Sequence, residues 1–382
     1  MRPPFSGINM IRVLQIVTSM NRGGLETMIM NYYRQIDKNR IQFDFLEHRD
    51  FKSDYTDEIL AMGGKIYKVP RQNPLSSGYK KALDDFFAEH NEYDIVHSHI
   101  DCMSADPILA AKNNGVKVRI AHSHNSNQTK DLKYPLKMIC KRKIPGVATE
   151  LFACGKEAGE FMYGGKPFTI MNNAINTSIY EFDEAKREAK RKELLCNLTA
   201  NTDETFVVGH VGRMEHQKNH NFLIDVFAEI KKIRENSVLI LAGTGSLEKQ
   251  LMEKVDSLGL KDSVMFLGTR DDVPELLMAM DVFLFPSHFE GLPLTVVEAE
   301  ASGLPVVMSD VITKDCILTS DVVQMSLKGS AKAWAKKVVE AGKFSHSDDR
   351  KHKRDDVISG GFDIVSNSEW LMDYYESKLK EV

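Results

Sequence analysis

Two glutamates with seven residues between them, Glu290 and Glu298, stand in the run PSHFEGLPLTVVEAEASGLP at 286–305. Ionised carboxylates accept hydrogen bonds from hydroxyl groups. A helix N-terminus beside them, near Leu294 and Thr295, offers free N–H groups and the positive end of a dipole to an anion. Such a pairing suits a ligand that carries both hydroxyls and phosphate, and a sugar nucleotide has that character. The plainer reading of the same residues is a loop-capping Glu290 and a solvated Glu298, the commoner fate of a glutamate.

The elements that must position this pair are legible around it. Val282-Phe283-Leu284-Phe285 reads as a buried strand ended by Pro286 and Ser287. Pro293 suits the first turn of a helix over 294–301, which Gly303 and Pro305 close before a further strand at Val306. Glu290 then lies in a loop at the C-terminal end of a parallel strand, where open α/β sheets bind ligands. Glu298 projects about one turn into the helix.

Cations follow the same logic. After a strand over 206–211, Gly212 lets the chain turn, and Arg213 and Lys218 fall on the loop, a fork and a point charge that can neutralise a diphosphate. The alternative is two ordinary surface cations among 50 lysines and arginines. Asn21-Arg22-Gly23-Gly24 precedes a helix and lets backbone approach a phosphate, although no G-x-G-x-x-G is present. Gly243-Thr244-Gly245 reads as a strand-to-helix turn. His97, His99, His122 and His124 cluster near strand ends. They lack the carboxylates or thiolates at fixed spacing that a functional metal wants, so no metal is expected. Gly268, Thr269 and Arg270 follow a strand over 264–267, and Arg270 either stacks on a base or points to water.

Strands and helices alternate through both halves. Strands are expected at 11–17, 43–46, 65–69, 95–97, 117–121, 151–153 and 169–171, then at 206–211, 238–241, 264–267, 282–285 and 305–308. Helices fit 25–36, 79–90, 184–195, 220–234, 246–257, 273–279, 294–302 and 370–380. Such alternation implies parallel sheets with right-handed crossovers. The expected fold is α/β, with two Rossmann-like domains facing a cleft, 1–174 joined by a C-terminal helix over 365–382, and 175–364.

Composition narrows the class. A chain of 382 residues suits two domains, and 42% hydrophobic with 27% charged residues is ordinary for a globular protein. A net charge of −4 argues against general nucleic-acid binding. The five cysteines are odd in number and scattered, which reads as reduced thiols in a cytoplasmic protein. No run is long and apolar enough to span a bilayer, and residues 1–9 lack a signal-peptide core. Asn127, Asn176 and Asn197 open N-x-[ST] triplets, with no glycosylation expected in that compartment. The segment 130–146 interleaves Lys133, Lys137, Lys141, Arg142 and Lys143 with apolar residues, a pattern that fits an anionic membrane surface or a solvated helix face.

EGLPLTVVEAEASGLPVV, GHVGRMEHQKN at 209–219, LAGTGSLEKQL at 241–251, VMFLGTRDDVPELLMAMDVFLFPS at 264–287 and SMNRGGLET at 19–27 together resemble the retaining glycosyltransferases of the GT-B fold, family four (the group 1 glycosyltransferases). The likeness spans most of the chain, and bacterial capsule and exopolysaccharide enzymes are the nearest general match. Leu292 and Pro293 stand where that family often has an aromatic and a glycine. After Asp310, VITKDCILTSDVV replaces a common glycine pair and Pro-Glu, so substrate choice does not transfer.

The resemblance implies a sugar-nucleotide donor, a glycan or lipid-linked acceptor, retention at the anomeric carbon, and no metal or other cofactor. A UDP-sugar is expected ahead of a GDP-sugar, although no residue reads one base against another. It assigns Arg213 and Lys218 to the donor diphosphate, with Gly23 and Gly24 facing the phosphates, and Glu290 to the sugar hydroxyls. Leu292, Leu294, Thr295, Glu298 and Arg270 join the donor site, Glu298 at the ribose diol. One histidine would contact a sugar hydroxyl: His124 is preferred, because His122 falls where the strand continues. Related enzymes often reach lipid-linked acceptors through the first domain, which favours peripheral association at the inner face of the plasma membrane. The rival expectations are a nucleotide-sugar epimerase of the same fold and a silent nucleotide- or glycan-binding module.

Overall fold

The computed structural model describes residues 10–125, 133–196, 204–344 and 347–381. The chain divides into two units, 1–174 with 364–382, and 175–363. The expected triplets at Asn127 and Asn197, the extension 1–9 and the start of the basic segment lie outside the described residues.

The first unit holds β1 (Ile11–Val17), β2 (Ile41–Glu47), β3 (Ile66–Lys68), β4 (Ile95–Ser98), β5 (Val118–Ser123), β6 (Glu150–Ala153) and β7 (Thr169–Ile170). They form one sheet in the order β3-β2-β1-β4-β5-β6-β7, parallel at every pairing. Side chains alternate across a strand, so β1 feeds both faces. Val13 and Val17 join one apolar cluster, while Leu14 and Ile16 join another. A sheet covered on both sides needs such continuous apolar strands.

The helix Ile364–Lys380 belongs to this unit, starting one residue before the C-terminal helix expected over 365–382 and six before the helical pattern at 370–380. Leu371, Met372 and Tyr375 pack into the cluster of Val13 and Phe43. Arg40 secures its outer face, pairing with Glu369, Asp373 and Glu376 at 2.5, 2.7 and 2.9 Å.

The second unit contains β8 (Phe206–Val211), β9 (Ser237–Ala242), β10 (Val264–Phe266), β11 (Val282–Phe285), β12 (Val306–Ser309) and β13 (Val322–Met325). Their order is β10-β9-β8-β11-β12-β13, again all parallel. Strand β13 and the helix Ala331–Ala341 were not expected from sequence: Val322-Val323-Gln324-Met325 is short and only half-buried, which weakens its pattern.

In each sheet the strand order reverses at one place, between β1 and β4 in the first and between β8 and β11 in the second. Loops leaving such a pair diverge to opposite sides and open a crevice at the carboxyl edge. The loops after β8 and β11 are those carrying Lys218 and Glu290. Among the described residues no helix is long and apolar enough to cross a membrane.

Candidate functional site

The loops after β8 and β11 are stitched together by three consecutive residues, Gln217, Lys218 and Asn219. Gln217 O accepts the His288 N–H at 2.8 Å. Gln217 Nε2 donates to Phe289 O at 3.0 Å and to Glu290 Oε2 at 2.9 Å. Asn219, in the left-handed region at φ 56°, donates from Nδ2 to Pro286 O at 3.0 Å. Lys218 Nζ sits 2.8 Å from Glu290 Oε1 and 4.7 Å from the centre of the Phe285 ring. The two charged side chains are 14% and 8% exposed, so water screens them little.

Gly212 permits this arrangement: a Cβ there would meet His210 Nε2 at 2.9 Å and the Lys218 stem at 3.2 Å. The glycine turn after β9 presses on the same loop. Gly243 adopts φ +130°, and a Cβ on it would lie 2.2 Å from Gly212 O. Its N–H donates to Gly268 O at 2.7 Å, which ties the loop after β10 into the group.

The helix Leu294–Ala301 begins where expected, with Pro293 at its N-cap rather than inside the first turn. Leu294 and Thr295 occupy that first turn, where N–H groups lack partners within the helix. Thr295 Oγ1 in that turn and Ser287 Oγ just after β11 are buried without hydrogen-bond partners among the described residues, and Glu290 Oε1 meets Lys218 as an ion pair without hydrogen-bond geometry. Leu292 is half-buried and packs against the apolar cluster of the helix. A buried, unpaired hydroxyl in the first turn of a helix, beside free N–H groups, suits a polar ligand.

Glu298 retains some exposed surface, yet burial pushes its carboxyl up to about 7, with Tyr180 as its hydrogen-bond partner. Glu300, two residues on, faces the interior and was missed by sequence reasoning. Its Oε1 accepts Leu318 N–H at 2.9 Å, Thr319 N–H at 2.7 Å and Thr319 Oγ1–H at 2.9 Å. Burial holds this carboxyl near 7 as well. Glu300 thereby anchors the segment that departs from the common family pattern.

The remaining residues of the second unit divide. Arg213 is exposed on the loop of Lys218. Arg270 folds onto Asp272, Nε to Oδ1 at 2.7 Å and Nη2 to Oδ2 at 2.5 Å, and Lys190 reaches the same carboxylate at 2.8 Å. This grip holds Asp272 well below the usual carboxylate range.

Gly23, Gly24 and His124 belong to the first unit. Gly23 is extended at the N-cap of the helix Gly24–Gln35, and a Cβ there would strike Glu26 Oε2 at 2.4 Å, whereas Gly24 faces open space. His122 is the buried last-but-one residue of β5, and His124 lies just past the strand end, half-buried. Asp101, left-handed at φ 47°, accepts the His124 N–H at 2.8 Å and Asn125 Nδ2–H at 2.6 Å.

His97, His99 and His122 bring ring nitrogens within 4.8 Å of one another. The same rings stack, His97 on His99 at 4.2 Å and 24°, His122 on His124 at 4.1 Å and 28°. Their nitrogens face one another pairwise, at 3.1 Å for His97 and His122 and 3.0 Å for His99 and His124.

Two parallel sheets of this order, with cation and carboxylate loops at the switch point of the second, describe a GT-B glycosyltransferase. Residues 195–346 match the family described as glycosyl transferases group 1, and the chain belongs to that family. It is 34% identical over 376 residues to EpsF of Bacillus subtilis (strain 168), which bears the name of a glycosyltransferase, covering 95% of this chain and 96% of that one. It is 25% identical over 388 residues to the capsular polysaccharide biosynthesis glycosyltransferase CapH of Staphylococcus aureus, covering 97% and 99%. Among solved structures, Anabaena Alr3699/HepE in complex with UDP superimposes with a TM-score of 0.75 at 18% identity, covering 96% of this chain and 100% of that one.

Proposed function

We propose that the protein transfers a sugar, with retention, from a nucleotide-sugar donor to a hydroxyl of a glycan or lipid-linked acceptor in capsular or exopolysaccharide synthesis. UDP-sugars come first among donors, in keeping with the UDP held by the Anabaena neighbour. The observation that carries the reading is the Gln217–Lys218–Glu290 lock at the sheet's switch point.

In the absence of donor, Lys218 neutralises Glu290. An arriving diphosphate competes for Lys218, and Glu290 Oε1 is released to accept a hydroxyl of the donor sugar. Arg213 closes on the diphosphate from the loop surface, with the first turn of Leu294–Ala301 as further positive charge, and these groups take the place of a metal. Glu298 accepts from the ribose diol. The family resemblance assigns Gly23 and Gly24 to the donor phosphates and His124 to a hydroxyl of the donor sugar. Charge developing on the leaving diphosphate is thereby met by fixed donors, each worth about 3–4 kcal/mol of barrier. The diphosphate helps to take the proton from the acceptor hydroxyl on the same face.

Acceptor access runs through the first unit, at the inner face of the plasma membrane. The helix Tyr134–Val147 carries Lys137, Lys141, Arg142 and Lys143, and Ile139 is 52% exposed. Cations near an anionic surface contribute about 1 kcal/mol each. Sedimentation with phosphatidylglycerol vesicles, weakening with salt, is the expected result. Failure to bind at every salt concentration removes this part of the proposal.

The transfer reading is tested with a panel of UDP-, GDP- and ADP-sugars, measuring nucleoside diphosphate release. Slow release from one donor, lost in Glu290→Ala and Lys218→Ala, is expected. Absence of release and of calorimetric binding across the panel would overturn it.

A further inference from the structure

The four imidazoles of the first unit form two hydrogen-bonded rows with defined ends. His97 Nδ1 meets the Tyr375 hydroxyl at 2.7 Å and His97 Nε2 meets His122 Nδ1 at 3.1 Å. In the second row His99 Nε2 meets Gln15 Oε1 at 2.8 Å and His99 Nδ1 meets His124 Nε2 at 3.0 Å. Burial holds His97, His99 and His122 well below the ordinary histidine range and His124 at about 3. All four rings are therefore neutral, each with one N–H donor and one acceptor nitrogen.

In a row of neutral imidazoles, fixing one proton fixes the rest. An amide oxygen only accepts. With the Gln15 amide oriented so that Oε1 meets this ring, His99 carries its proton on Nε2. His99 Nδ1 is then a lone pair, and His124 must donate into it from Nε2. That leaves His124 Nδ1 unprotonated. Asp101 fixes the backbone of the same residue through the His124 N–H.

We propose that Gln15, acting through His99, is a positioning residue that holds His124 in its Nε2-protonated tautomer, so that Nδ1 presents a hydrogen-bond acceptor to a donor-sugar hydroxyl. This rests on the reading that His124 meets the donor sugar. It adds a selection rule. The group met by His124 must have a proton to give, so a hydroxyl is accepted, whereas a fluorine or a carboxylate at that position leaves two acceptors opposed.

Gln15 is almost fully buried, so two substitutions are needed. Gln15→Glu keeps an acceptor at the end of the row, and Gln15→Leu removes it. Long-range 15N–1H correlation spectra of the histidine-labelled full chain read each tautomer directly. The expected result is an Nε2–H tautomer at His99 and His124 in wild type and in Gln15→Glu, with His124 shifted toward Nδ1–H in Gln15→Leu. Transfer from the donor should fall about 5–10-fold in Gln15→Leu, the worth of one hydrogen bond, and recover in Gln15→Glu. A proton on His124 Nδ1 in wild type, an imidazolium signal, or zinc bound by the rings would overturn the relay whatever the rates. Should Gln15→Leu fail to fold, wild type and Gln15→Glu decide the tautomer. Tautomers as stated, with transfer indifferent to Gln15, would overturn the role toward the sugar. Failure of the donor panel is a separate reading, because the spectra need no substrate.

Discussion

Lys218 Nζ lies 2.8 Å from Glu290 Oε1, and Gln217 from the same short turn holds the other carboxylate oxygen at 2.9 Å. The cation assigned to the diphosphate and the carboxylate assigned to the sugar are one unit before any ligand arrives. Residues that act as a unit are strongly non-additive. Lys218→Met and Glu290→Gln should each lower turnover about 10²–10³-fold, and the double variant should lose little more than either alone. Steady-state rates with the preferred donor check this, and simple multiplication of the two losses would refute it.

Glu298 and Glu300 both have carboxyls raised by burial from 4.5 to about 7. Between these values the folded chain keeps protons that the unfolded chain has released. Stability contributed by the protonated forms is full below pH 4.5 and is lost as pH rises toward 7. Thermal melts should therefore fall from pH 5 to pH 7.5, and Glu300→Gln should flatten that fall. Glu298 adds a binding signature: if its carboxylate accepts from ribose, UDP binding near pH 6.5 releases a proton. Calorimetry in buffers of different ionisation enthalpy should detect this in wild type, with the signal reduced in Glu298→Gln.

Gly243 is required twice over, by φ +130° and by the 2.2 Å that would separate a Cβ from Gly212 O. Gly243→Ala should displace the loop of Arg213 and Lys218, lowering the melting temperature and weakening UDP binding about tenfold or more. Gly24→Ala, with open space around it, should leave stability within about 1 kcal/mol, because Ala is the better helix residue.

Arg350 is buried, and among the described residues no carboxylate accepts a hydrogen bond from it. Its guanidinium donates to Leu277 O, Met278 O, Met280 O and Ser302 O at 2.9–3.0 Å and lies 4.3 Å from the Phe182 ring. It satisfies the carbonyl ends of two helices, Val273–Ala279 and Leu294–Ala301. Arg350→Met should destabilise the second unit by at least about 1–3 kcal/mol, because it leaves buried carbonyls without donors. A chemical denaturation midpoint unchanged from wild type would contradict this.

Much of the second unit was readable because its signals are local. The strands Phe206–Val211 and Val282–Phe285 and the helix Leu294–Ala301 are bounded by proline, glycine and polar residues that stop or start elements for steric reasons. What could not be read depends on long-range burial. Arg350 stands in the charged run HSDDRKHKRDD, which looks like a solvated face. Glu300 differs from Glu298 only by two helical positions, enough to turn it inward. Arg270 was expected to stack or face water, and nothing short of a fold reveals that Asp272 grips it. The order of the four histidine protons likewise depends on Gln15, more than eighty residues away from His99.

The lock between Lys218 and Glu290 is tested most directly by calorimetric binding of UDP to wild type, Lys218→Met and Glu290→Gln. Competition for Lys218 predicts that Glu290→Gln binds UDP as tightly as wild type or more tightly, while Lys218→Met binds at least about tenfold more weakly, a loss of about 1.4 kcal/mol. Equal loss of UDP binding in both variants would contradict the account.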